Sequence, residues 1–338
     1  MLQSNFYTTT PSINCKFSHT MKNQSLIYLN KKEISDMVSM NEAIDSMRYA
    51  FIQLSNGMAK VPERIRLNLS DNNATSLIMP AYYNGSPYYC VKIVSVNYSN
   101  PMKGLPLIHG TVQVFDAQEG KHIASFDGES ITAIRTAAAS GLATELMAKK
   151  QANVCAIFGT GIQASSHLKA MINVRKIQKF MIFSRGEMHA EKFCKTHSEK
   201  VECEIGSIEK LKEADIVCTT TPSKSPLFEF NNLKTGCHLN VIGSHRPKMR
   251  EVSSDIVIQS KIIVDHLESC KKEAGDLIIP MQEGKWSFDK IHAELGQIAN
   301  SELSIRRSLN QTTLFKSVGN AIQDLAMVNL LMKKLNYD

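Results

Sequence analysis

Two cations in this chain stand where cations are costly, and a third lies beside them in kind. Arg135 shares a helical face with Ile131, Ala138, Ala139 and Leu142, so its guanidinium must snorkel past small neighbours to water or meet an anion. Its planar fork suits a carboxylate. Lys92 lies in Cys90-Val-Lys-Ile-Val-Ser-Val, with apolar neighbours on both faces. On a buried strand such a lysine titrates below its ordinary range and serves acid–base chemistry; on an edge strand it simply meets water. Arg64 alternates with Arg66 between Val61 and Leu69, and taken alone that pattern reads as a solvated face.

A second constellation runs from Val154 to Met171: a short apolar strand, a glycine turn and the start of a helix. Gly159, Gly161 and Ala164 fill the three positions of the dinucleotide fingerprint, with Thr160, Ile162 and Gln163 between them. The small residues allow the turn, the approach of a pyrophosphate and close packing of helix on strand, while the free N–H groups face the anion. The competing reading is a glycine-rich turn without a ligand. Ser184-Arg185 ends the next strand, where an acidic residue ordinarily binds the ribose hydroxyls of NAD; Ser-Arg there suits the 2′-phosphate of NADP. His245 follows the strand His238 to Gly243, at the end that faces the ligand crevice in such sheets. No metal spacing of His and Cys occurs, and no G-x-S-x-G supports a serine hydrolase.

These residues need two kinds of support. Over the first ~125 positions an amphipathic helix from Met40 (Ala43, Ile44, Met47 and Phe51 on one side) precedes a run of strands, which favours an α+β domain. Ile65, Leu67 and Leu69 point one way on one such strand, and Asp127-Gly128 reads as a turn. Ser130 to Lys149 is a strong helix leading into the glycine turn, after which strands and helices alternate as in a doubly wound parallel sheet. Val318 to Leu335 is an amphipathic helix.

The 338 residues suffice for two domains, and 43% hydrophobic with 21% charged residues is globular composition. A net charge of +7 without dense basic blocks argues against nucleic acid and for small anions. The eight cysteines form no C-x-x-C pair and suggest reduced thiols in a cytoplasmic protein. No apolar run approaches a membrane span, and residues 1–20 read as a disordered tail.

In order along the chain, Val61-Pro-Glu-Arg64, Leu77-Ile-Met-Pro-Ala81, Val91-Lys-Ile-Val94, Ile131-Thr-Ala-Ile-Arg-Thr-Ala-Ala138, Gly159-Thr-Gly-Ile-Gln-Ala164 and His238-Leu-Asn-Val-Ile-Gly-Ser-His-Arg-Pro247 resemble the ornithine cyclodeaminase and mu-crystallin family. Gly275-Asp276, His292-Ala-Glu-Leu-Gly296 and Phe315-Lys-Ser-Val-Gly319 continue the likeness, which runs from about Leu26 to the C-terminus. The resemblance implies a homodimer, with 21–135 and 315–338 forming the substrate-binding and dimerisation domain and 136–314 a Rossmann domain. It implies that Arg64, Lys92 and Arg135 hold a substrate carboxylate, with Lys92 catalytic and His245 lining the pocket. Nucleotide contacts are expected from Thr136, the turn Gly159 to Ala164, Ser184, Arg185, Thr220 and Lys316, with NADP(H) favoured and NAD(H) possible. Cyclodeaminases carry an Asp where this chain has His245, which favours reduction of a small cyclic ketimine acid over ornithine cyclodeamination. An alanine dehydrogenase-like or opine-like reaction and a non-enzymatic crystallin-like binder are the remaining alternatives.

Overall fold

A computed structural model describes residues 26–69, 74–97, 99–199, 201–301 and 305–337; the expected tail at 1–20 lies outside them. The first sheet contains β1 (Ile27–Leu29), β2 (Ala59–Lys60), β3 (Ile65–Leu69), β4 (Ala74–Tyr83), β5 (Tyr88–Asn97), β6 (Ile108–Asp116) and β7 (His122–Asp127). Its order is β1-β7-β6-β5-β4-β2, with β3 also on β4; β1 joins β7 in parallel and the other pairings are antiparallel. Two helices, α1 (Lys31–Met37) and α2 (Met40–Ser55), separate β1 from β2. Ser39 caps α2 reciprocally with Glu42, which satisfies helix-end N–H groups and fixes where the amphipathic run begins. Its buried side carries Ala43, Ile44, Met47 and Phe51, as the spacing requires, and Ala50 as well.

The second sheet is wholly parallel. It is built from β8 (Val154–Phe158), β9 (Lys179–Phe183), β10 (Glu202–Ile205), β11 (Ile216–Thr219), β12 (His238–Val241), β13 (Lys261–Val264), β14 (Ala293–Glu294) and β15 (Thr313–Lys316), in the order β10-β9-β8-β11-β12-β15-β13-β14. The order reverses direction at β8, so the crevice for a ligand opens beside its C-terminal end. Helices α4 (Ile162–Val174) and α5 (Glu187–His197) contribute to the apolar cluster on one face; α6 (Ser254–Gln259), α7 (Leu267–Glu273) and α8 (Gly275–Gln282) contribute to that on the other. The expected doubly wound α/β architecture with an accompanying α+β domain is present.

Three elements join the two sheets: α3 (Gly128–Met147), α9 (Leu295–Ala299) and α10 (Ala321–Lys334). Asp127 and Gly128 make no separate turn. Asp127 ends β7 and caps α3, its Oδ1 accepting the Ser130 N–H at 2.8 Å, so strand passes straight into helix. Of the 20 residues of α3, 15 are buried, because it packs on α2 and α10 on one side and on α4 on the other. That environment forces Arg135 inward. The chain recrosses after Lys316, which ends β15 inside the parallel sheet, so residues 315 and 316 belong to that sheet rather than to the returning segment.

One expectation for the first sheet changes meaning. Ile65, Leu67 and Leu69 do alternate with Arg66 and Asn68 on β3, yet all five residues are exposed. The pleat sorts the side chains, but none of the described residues covers the apolar side.

Candidate active site

Lys92 sits on β5 between β4 and β6, so the edge-strand alternative is excluded and its side chain is only 2% exposed. Its ammonium donates to Asp324 on α10 at 2.9 Å and to the Thr132 hydroxyl on α3 at 3.3 Å. Arg135, 6% exposed, brings Nε to 3.4 Å from the same Asp324 and donates to Gln323 Oε1. Arg64, just before β3, donates to the Gly319 carbonyl at 2.7 Å and pairs with Glu273, at the end of α7, at 3.0 Å. It is not on the solvated face that its alternation with Arg66 suggested.

Gly319 is the hinge of this arrangement. Its φ of +82° favours glycine, and an added Cβ would come within 2.9 Å of an Arg135 guanidinium nitrogen. Arg64 holds the carbonyl of that residue while Arg135 crowds its α-carbon, so the two guanidiniums flank one peptide. Asp265 fixes the segment by accepting from the Ser317 hydroxyl at 2.7 Å, Val318 N at 3.0 Å and Gly319 N at 2.8 Å. A cavity of about 180 Å³ opens here, lined among others by Arg64, Met79, Glu273 and Gly319. Three cations therefore converge with three carboxylates: Asp324 faces Lys92 and Arg135, Glu273 pairs with Arg64, and Asp265 acts on Arg135 from the Gly319 segment. Arg135 Nε, Gln323 Nε2 and Glu273 Oε2 are buried without a hydrogen-bond partner, so polar capacity remains for a ligand, while Asp324 Oδ2 is taken up by the Lys92 ammonium at 2.9 Å.

The electrostatics follow from burial. Burial pushes the Lys92 ammonium down to about 8; Arg135 and Arg64 act in the same direction and Asp324 opposes them. Burial raises Glu273 above the usual carboxylate range, with Arg64 and Arg66 opposing.

The nucleotide turn lies on the other side of α3. Gly159 has φ +115°, and a Cβ there would stand 2.6 Å from Thr220 Oγ1, itself fixed by donating to the Phe158 carbonyl at 2.9 Å. Around Gly161 the opposite holds: a Cβ would meet nothing within 4 Å. No side chain caps the N-terminus of α4, and Ala164 is buried against the sheet. Open space beside an uncapped helix start, at the sheet's reversal point, fits a dinucleotide pyrophosphate. Thr160 and Gln163 are partly exposed and Ile162 is exposed at the same turn. Gln163 Nε2 reaches the Thr132 carbonyl on α3 at 3.4 Å, which ties the turn to the helix of Arg135 and Thr136. Ser184 and Arg185 follow β9 and are exposed.

Lys316 differs from expectation. Its side chain is fully buried, donating to the Ser244 carbonyl at 2.6 Å and pairing with Asp276 at 2.8 Å, so it anchors a loop rather than facing a nucleotide. The same loop is held by Glu251, which accepts from Gly243 N at 2.7 Å, Thr221 N at 2.7 Å and the Thr219 hydroxyl at 2.8 Å. His245 projects from it and is exposed. Surrounding protein mass lowers the His245 pKa, as do Lys316, Arg64 and Arg66, and its Nδ1 lies 3.3 Å from the Gly243 carbonyl. Asp324, Glu273, Glu251 and Thr132 escaped the sequence reading. For Asp324 a signal existed: an acid between Ile322 and Leu325 in an apolar helix. Among the described residues no cluster of three or more His, Cys, Asp or Glu could hold a metal ion, and no helix is long and apolar enough to cross a membrane.

Comparison with known proteins matches residues 25–337 to the model of the ornithine cyclodeaminase/mu-crystallin family. A Δ(1)-pyrroline-2-carboxylate reductase of Bacillus cereus is 35% identical over 314 residues, covering 91% of this chain and 96% of the relative. The structure of Thermococcus litoralis Δ(1)-pyrroline-2-carboxylate reductase with NADH and L-proline is 35% identical, with a TM-score of 0.87 over 92% of this chain and 98% of that one. An archaeal alanine dehydrogenase dimer with bound NAD is 28% identical, with a TM-score of 0.85 over 92% and 96%.

Proposed function

Since the chain belongs to the ornithine cyclodeaminase/mu-crystallin family, we propose that it is a nicotinamide-dependent oxidoreductase that reduces a small cyclic ketimine acid, Δ1-pyrroline-2-carboxylate or Δ1-piperideine-2-carboxylate, to the L-amino acid. The observation that carries this reading is the convergence of Arg64, Lys92 and Arg135 around the start of α10, one helix away from an open pyrophosphate cradle. Arg64 and Arg135 clamp the substrate carboxylate, which aims the adjoining carbon and removes its water. A bound nicotinamide supplies the hydride. Lys92, or a water that it orients, keeps the imine nitrogen protonated, so that the carbon accepts the electron pair. His245 lines the pocket at the loop anchored by Lys316 and Glu251.

Thr136, the turn Gly159 to Ala164, Ser184, Arg185 and Thr220 hold the cofactor in this reading. The relatives with bound nucleotide contain NADH or NAD. For this chain we favour NADP(H), because exposed Ser184 and Arg185 stand where a ribose-binding acid would oppose a 2′-phosphate. The decisive experiment follows nicotinamide absorbance with NADPH or NADH and Δ1-pyrroline-2-carboxylate, beside ornithine plus NAD with ammonia detection. Loss of absorbance with the imine and no ammonia from ornithine is expected; ammonia and proline from ornithine would overturn the reading. Arg185→Asp should invert the NADPH to NADH preference.

The exposed apolar residues Ile65, Leu67, Leu69 and Ile93, 39–59% exposed on one face of the first sheet, support a homodimer formed through that sheet. Light scattering should give twice the mass of 37.7 kDa. Free thiols at Cys90, Cys155, Cys194, Cys203, Cys218, Cys237 and Cys270 support a cytoplasmic location.

A further inference from the structure

Lys92 and Arg135 reach the site from a strand and a helix, and like charges side by side repel. Neither β5 nor α3 supplies anything that holds them together. Asp324 does. It is fully buried in the first turn of α10, bonded to Lys92 at 2.9 Å and facing Arg135 Nε at 3.4 Å. Gln323, its neighbour, accepts from the Arg135 guanidinium and also accepts from Asn320 N at 3.1 Å in the capping box of the same helix. The start of α10 thus touches both cations, and Asn320 follows directly on the Gly319 that Arg64 holds.

We infer that Asp324 is the positioning residue of the substrate site: it bridges Lys92 and Arg135, sets the gap in which a single substrate carboxylate lies, and keeps Lys92 in its ammonium form. This rests on the ketimine reductase reading of that site. The other charged neighbours of the ammonium work the other way. Arg135 on α3 and Arg64 before β3 repel it, its burial disfavours charge, and Thr132 is neutral. Cys90, two residues back on its own strand, is a thiol pushed well above its ordinary range by burial, with Asp324 raising it further. Asp265 and Glu273 are engaged with Ser317–Gly319 and with Arg64. Asp324 is therefore the anion on which the charge of Lys92 depends.

Two substitutions separate charge from placement. Asp324→Asn keeps the shape and removes the charge; Asp324→Glu keeps the charge and lengthens the reach. The primary readout is calorimetric binding of pyrrole-2-carboxylate, a flat and unreactive carboxylate of the same ring size, to the intact protein between pH 6 and 9. In the parent, binding should weaken above about pH 8, where Lys92 loses its proton. In Asp324→Asn this limb should move to lower pH by at least about one unit, so that pH 8 affinity falls roughly fivefold more than pH 6 affinity. In Asp324→Glu the limb should stay and affinity should fall severalfold at every pH. An unmoved limb in Asp324→Asn would overturn the role in charge. Parent-like affinity in Asp324→Glu would overturn the role in placement, and this second variant suffices if the first does not fold. Ketimine turnover by the parent is assayed separately: its absence with pyrrole-2-carboxylate binding intact would refute the reaction and leave the Asp324 result standing.

Discussion

Lys92→Met should lower kcat/KM for the ketimine acid by about 100- to 10,000-fold, the range associated with loss of a positioned acid. Methionine preserves most of the volume, and Asp324 keeps Arg135 as a partner, so the fold should survive. Fluorescence titration with NADH or NADPH should give unchanged affinity, since Lys92 lies on the opposite side of α3 from the nucleotide turn. The pH profile of the parent adds a second check. Lys92 titrates at about 8, and only its ammonium form serves the imine nitrogen. The protonated fraction is nearly complete at pH 6 and falls tenfold for each unit above the pKa, so kcat/KM should be flat below about pH 7 and decline above about pH 8. The Met variant should lose this limb. A limb that persisted would assign the titration to another group.

The second large effect belongs to the nucleotide turn. Gly159→Ala should abolish measurable cofactor binding and lower the urea midpoint, because φ +115° is strained for a side chain by about 1–3 kcal/mol. Its Cβ would also press on a Thr220 hydroxyl that is already hydrogen-bonded. Gly161→Ala should behave differently. Nothing within 4 Å opposes its methyl group, so the urea midpoint should hold while cofactor affinity falls, the methyl group standing in the space that the pyrophosphate needs. Equal stability losses in the two variants would mean that the turn is a structural corner without a ligand.

These residues differ in how plainly the sequence announces them. Arg135 and Lys92 are legible because each interrupts an apolar surface, and a charge in such a place requires a partner. The partner is not legible in the same way. Asp324 lies 232 positions from Lys92, and α10 is buried nearly all round, which blurs the periodicity that would single out one face. Arg64 gives no local signal, because its alternation with Arg66 is also that of a solvated strand; only the returning Gly319 and Glu273 make it part of the site. The glycine turn is legible because its chemistry is local, three residues (Gly159 to Gly161) bounded by a strand and a helix. Lys316 misleads for the converse reason: its motif marks a fixed position in the chain, and the structure spends the charge on Asp276 and the His245 loop. The exposure of β3 could not be inferred from alternation, since a pleat says which side chains share a face and not whether anything covers it.

The continuous α3 has a consequence for how this catalyst could vary. Arg135 and Thr136 are consecutive on it, and Thr132 touches Lys92 through its hydroxyl and Gln163 through its carbonyl. The spacing between substrate and nucleotide is thus measured along a single rod, at about 1.5 Å and 100° per residue. One inserted residue would turn everything beyond it by more than a quarter circle. Substrate preference can drift through the surrounding loops, but the length of this ruler cannot.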